Sequence, residues 1–83
     1  MSQVIVPNGW RHEDNALRRE FAFTNFTEAF TFMTSIAEMA EAADHHPDWS
    51  NIYNTVVIAL TSHDKGCVTQ RDSSLATQIN TLV

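Results

Sequence analysis

The sequence predicts an α+β fold: a four-stranded antiparallel sheet with two helices packed on one face, in the order β-β-α-β-β-α. Three observations carry this expectation. Apolar residues recur at helical spacing from Phe26 to Ala40 and again from Leu75 to Leu82. Each of these stretches follows a good capping residue, Asn25 or Thr69, with an acid three residues on, Glu28 or Asp72. The remaining runs are short and fall in pairs before each helix, so hairpins with short connections satisfy the order.

Taken in order, Val4-Ile5-Val6 is an apolar patch before the turn cluster Pro7-Asn8-Gly9, and reads as either a frayed leader or an edge extension. Trp10 to Glu13 is a short strand, Glu13-Asp14-Asn15 a turn and Ala16 to Phe23 a clearer strand, together a hairpin. Alternation puts Leu17, Arg19, Phe21 and Phe23 on one face, with Leu17, Phe21 and Phe23 as core contacts. In the first helix, Phe26, Ala29, Phe30, Met33, Ile36, Ala37 and Ala40 form the apolar stripe. Phe32 and Met39 lie off that stripe, and either flank the same core or meet another subunit. Pro47 disfavours helical geometry at His46, so this helix should end near Asp44 or His45.

Trp49 to Tyr53 is the third strand, Asn54-Thr55 a tight turn, and Val56 to His63 the fourth strand. Val56, Ile58 and Leu60 should face the helices, and Val57, Ala59, Thr61 and His63 should point away. Asp64-Lys65-Gly66 is a loop. The last helix buries Leu75, Ala76, Ile79 and Leu82.

Composition narrows the function classes. With 83 residues the chain has room for one domain, residues 1–83, and a core of modest size. Its 43% hydrophobic and 18% charged residues describe a globular sequence rather than a disordered one. The formal charge is −5, and the cations Arg11, Arg18, Arg19, Lys65 and Arg71 are scattered, so direct nucleic-acid binding is not expected. A lone cysteine, Cys67, excludes an internal disulfide and suits a reducing compartment. Met1 to Pro7 is too short and uncharged for a secretory signal, and no apolar run reaches membrane-spanning length. A cytoplasmic protein is expected. Domains this small often gain stability by self-association, so a homo-oligomer is expected as well.

Chemistry concentrates at the end of the first helix, in Glu41-Ala42-Ala43-Asp44-His45-His46-Pro47. Histidine titrates nearest neutral pH and serves as acid or base. Glu41 lies four residues before His45, where a carboxylate could orient the ring and favour its protonated form, as would the helix C-terminus. The same spacing also suits an exposed pair with an incidental ion pair. His63 closes the fourth strand and either joins this site or is an exposed strand end. Asp72 is either a capping acid or a partner that sets the tautomer of His63. No role falls to His12. The His-Glu-x-x-His arrangement of helical zinc sites is absent, so no metal is expected. Cys67 lacks an activating pattern, and two glycines leave no phosphate-binding loop.

The joint pattern of Glu41, His45-His46-Pro47, Trp49, Tyr53, His63 and Asp72 resembles the pterin-4a-carbinolamine dehydratase family. The resemblance extends upstream through Gly9-Trp10 and the segment Phe26 to Met33, and covers Gly9 to Ile79. It implies the same α+β fold and dehydration of 4a-hydroxytetrahydropterin to quinonoid dihydropterin, which recycles the cofactor of aromatic amino acid hydroxylases. It implies His45, His46 and His63 as active-site histidines, with Glu41, Pro47, Asp72 and Arg71 in support. The pterin is the substrate, and no metal or bound cofactor is implied. Loss of water needs a proton delivered to the departing hydroxyl and one removed from N5, and imidazoles suit both steps. A homodimer or homotetramer is implied too. Many relatives carry a further helix before the Gly-Trp segment, whereas eight residues precede Gly9 here. Mammalian members also act as a dimerisation cofactor of a homeodomain transcription factor. The alternative expectation is therefore a protein-binding regulatory module of the coactivator type, with Phe32 and Met39 as contacts.

Overall fold

The computed structural model describes residues 5–83. Its elements are β1 (Arg11–Glu13), β2 (Ala16–Ala22), α1 (Phe26–Ala43), β3 (Asp48–Ile52), β4 (Thr55–Leu60) and α2 (Gln70–Asn80). The strands form one antiparallel sheet in the order β1-β2-β4-β3, which places the second strand of each hairpin at the centre. Register aligns Leu17 with Leu60 and Phe21 with Val56. These residues and Ile58 project to one side, where they join Ile36 of α1 and Leu75 and Ile79 of α2 in the core. The α+β architecture expected from the sequence is the one observed.

Local chemistry sets the boundaries. The Asn25 side chain accepts from the Glu28 N–H at 2.9 Å and starts α1. Thr69 and Asp72 form a capping box at the start of α2. The β3–β4 turn falls on Tyr53–Asn54, one residue earlier than expected. Asn51 explains the shift, because its amide donates to the carbonyls of Tyr53 and Thr55 and folds the chain over Tyr53, which takes φ 50°. At the opposite end, Gly9 takes φ 89°. A Cβ there would lie 2.6 Å from Nη1 of Arg19, whose guanidinium donates to the Asn8 carbonyl and to Asn80 Oδ1. These bonds tie Arg19 to the end of α2 at Asn80, and its guanidinium lies over the Phe21 ring, 4.5 Å from the centroid.

Several expectations are corrected. The α1 face in contact with the core is Ala29, Phe32, Ile36 and Ala40. Phe32 is only 6% exposed, whereas Phe26 and Phe30 are 48% and 54% exposed. The stripe is rotated because Phe21 and Phe23 of the first hairpin both stack on Phe32, with ring centroids 4.8 Å away in each case. Met39 is partly buried against the same core, so neither it nor Phe32 is a free contact surface. Leu82 lies beyond the end of α2 and is exposed. Val4 falls outside the described residues. Ile5 and Val6 make no strand, and the Ile5 carbonyl instead accepts from Ser73 Oγ at 2.7 Å. His63 is not in a strand, since β4 ends at Leu60 and a turn occupies residues 63–66.

Candidate active site

The site forms where α1 ends, β3 begins, β4 ends and α2 begins. Asp44 adopts a left-handed conformation, φ 51°, and terminates α1. The His45 N–H donates to the Ala40 carbonyl and the Asp44 N–H to that of Glu41, the paired bonds of a Schellman ending. This turn breaks the helical phase, so the adjacent imidazoles part company. His45 turns into the interior and His46 folds back over the last turn of the helix.

His45 is 7% exposed, and its Nε2 lies 2.5 Å from Oδ1 of Asp72, which is fully buried. The other carboxylate oxygen of Asp72 accepts from Ser62 Oγ at 2.9 Å and from the Thr69 N–H at 2.8 Å. An ionised carboxylate is an acceptor only, and every one of these contacts supplies a donor. A neutral His45 that donates through Nε2 carries its lone pair on Nδ1. Nδ1 has no partner among the described residues, and His45 lines a cleft of about 210 Å³ with Ala43, Gln70, Arg71, Ser74, Leu75 and Gln78. The ring is thus anchored at Nε2 by a buried carboxylate and lines the cleft beside α2.

The remaining expected site residues are exposed, Pro47 excepted. His46 Nε2 meets Glu41 Oε1 at 2.7 Å, with both side chains in solvent. Glu41 therefore serves His46 and not His45, because the left-handed Asp44 removes the four-residue phase that would have aligned it with His45. Pro47 is partly buried and leads into β3. His63 opens the turn after Ser62, and its side chain has no hydrogen-bond partner among the described residues. The carboxylate of Asp72 is engaged by His45, so it does not set the tautomer of His63. Arg71 is exposed and donates to Asp64 Oδ1. That hydrogen bond holds the Asp64 carboxyl below the usual carboxylate range. Among the described residues, no group of three His, Cys, Asp or Glu side chains is placed to hold a metal ion.

Antiparallel register connects these pieces. Asp48 pairs with Ala59, so continuing the ladder beyond both strand ends sets His46 across from Thr61 and His45 across from Ser62. The contact of His45 and Ser62 with the same carboxylate agrees with that extrapolation. Sequence reasoning missed Ser62. A signal for it exists, because Val56, Ile58 and Leu60 alternate inward and Ser62 is the next inward position. A polar residue at such a position needs a buried partner.

The chain belongs to the pterin 4 alpha carbinolamine dehydratase family, whose sequence pattern matches residues 2–82. It is 53% identical over 76 residues to a Rhodopseudomonas palustris (strain HaA2) protein named "Putative pterin-4-alpha-carbinolamine dehydratase", covering 89% of this chain and 75% of the relative. A Prochlorococcus marinus (strain MIT 9303) protein with the same name is 54% identical over 74 residues, 89% of this chain and 77% of its own. Among solved structures, a transcriptional coactivator/pterin dehydratase from Brucella melitensis superposes with a TM-score of 0.87 at 40% identity, covering 90% of this chain and 82% of that one. A pterin dehydratase-like RuBisCO assembly factor of the α-carboxysome shares the fold at TM-score 0.77, with 19% identity and coverage of 96% and 95%.

Proposed function

We propose that the protein dehydrates a 4a-hydroxytetrahydropterin to the quinonoid dihydropterin, with histidines as the acid and base. In this reaction the bond from C4a to the hydroxyl breaks and the hydroxyl leaves as water after receiving a proton. The proton on N5 is removed, and its electron pair forms the C4a–N5 double bond. One proton is delivered and one withdrawn, so the step needs no oxidant or reductant. The observation that carries the reading is the buried Asp72–His45 pair. It holds one imidazole at Nε2 beside a cleft that Arg71 also lines, and His46 and His63 are exposed. Each imidazole used as acid or base contributes roughly 10²–10⁴-fold. Glu41 holds the His46 ring by a hydrogen bond, and Arg71 beside the cleft provides a cation for the polar pterin edge. Recycling the cofactor of aromatic amino acid hydroxylases in the cytoplasm is the setting we assign to this activity.

The test is turnover of 4a-hydroxytetrahydropterin by the purified protein and by His45→Ala, His46→Ala and His63→Ala. Strong acceleration that falls by about 10²-fold or more in at least one variant is expected. Full turnover in all three variants contradicts the assignment.

One observation favours a second reading, a protein-binding regulatory module on the same fold. Phe26 and Phe30 are exposed on α1 with ring centroids 5.7 Å apart. A homodimer or homotetramer could bury the same pair. Phe30→Ala separates the possibilities: under the dehydratase reading the rate per active site is retained, and any change falls on assembly, measured by sedimentation.

A further inference from the structure

Ser62 lies on the inward side of β4's continuation and is fully buried, at a position where the pattern Val56, Ile58, Leu60 calls for another apolar side chain. Its backbone and its hydroxyl go to different places. The Ser62 N–H donates to the Cys67 carbonyl at 3.1 Å, and the Ser62 carbonyl accepts from the N–H groups of Lys65 at 3.0 Å and Gly66 at 2.9 Å. These bonds close the turn that begins with His63. The hydroxyl donates to Asp72 Oδ2 at 2.9 Å and lies 2.7 Å from Thr69 Oγ1. Ser62 has one hydroxyl proton, and the ionised Asp72 can only accept it, so Thr69 donates to Ser62 in turn. Thr69 Oγ1 then accepts from the Arg71 N–H at 3.3 Å. The donors thus run in one direction, from the first turn of α2 through Thr69 and Ser62 to Asp72, whose other oxygen holds His45.

We propose that Ser62 is a positioning residue that locks Asp72, and through it the tautomer of His45, while its backbone fixes the turn that carries His63. A single buried serine thereby sets the two histidines relative to each other. Its consequence for turnover rests on the dehydratase reading above; its effect on His45 does not. Ser62 touches no substrate in this account and acts only through Asp72 and the turn.

The test uses the full chain with ¹⁵N-labelled imidazoles, as wild type, Ser62→Ala and Ser62→Cys. Alanine deletes the donor, and cysteine keeps nearly the same shape with a weak one. Expected for the wild type is a single neutral tautomer of His45 with the proton on Nε2. In both variants a mixture of tautomers is expected at His45, with His46 unchanged. Turnover should fall about tenfold in kcat with KM held within about twofold, since orientation is lost and binding is not. A folded variant whose His45 remains a single Nε2–H tautomer overturns the proposal, and if alanine prevents folding the cysteine variant decides. Absence of turnover in the wild type would overturn the dehydratase reading alone, because the imidazole spectra still report on Ser62.

Discussion

A buried histidine needs a partner, and His45 has one that is buried more deeply than itself. Asp72 accepts from His45, Ser62 and the Thr69 N–H, and so belongs at once to the site and to the cap of α2. Asp72→Ala leaves several buried donors without an acceptor, each costing about 1–3 kcal/mol, so a loss of at least 3 kcal/mol is expected in denaturant unfolding. Glu41→Gln should move stability by less than about 1 kcal/mol in the same experiment, since the pair with His46 is exposed. The sequence identified these residues as a group, with Glu41 beside His45 and Asp72 as either a capping acid or a partner of His63. The cap is observed, but Asp72 also holds His45 and Glu41 holds His46. The exchange traces to the left-handed Asp44. Pro47 placed the end of the helix near Asp44 or His45, but no residue pattern announced the left-handed turn at Asp44, a non-glycine residue, that takes His45 off the face of Glu41.

At the scale of elements, the two helices and two hairpins were legible because capping residues, periodicity and Pro47 agree on their limits. The face of α1 was not. Its apolar residues cover so much of the cylinder that two overlapping stripes fit, one through Phe26 and Phe30 and one through Phe32. The choice is made by the aromatic rings of Phe21 and Phe23, which stack on Phe32 from the first hairpin. Phe32→Ala is therefore expected to cost about 3–5 kcal/mol by thermal or denaturant unfolding. Phe30→Ala, on the exposed side, should stay within about 1 kcal/mol for the monomer. Equal losses for the two would contradict the observed face. Capping has its own test: Asn25→Ala should remove about 1 kcal/mol by releasing the Glu28 N–H.

For the whole molecule, the sheet order β1-β2-β4-β3 puts the end of β4 beside the start of β3, and the helix ends above them complete the site. Three segments, the end of α1, the stretch after β4 and the start of α2, thus supply His45, Ser62 with His63, and Asp72 to one corner of the fold, with the core behind it built from both helices and the central strands. The family model matches residues 2–82, and the buried Asp72–His45 pair is the feature on which the proposed dehydration rests. The most direct test of that proposal is the rate of 4a-hydroxytetrahydropterin dehydration, followed optically with wild-type protein and with His45→Ala. Strong acceleration by the wild type and a loss of about 10²-fold or more in the variant are expected. Folded wild-type protein that leaves the spontaneous rate unchanged would contradict it.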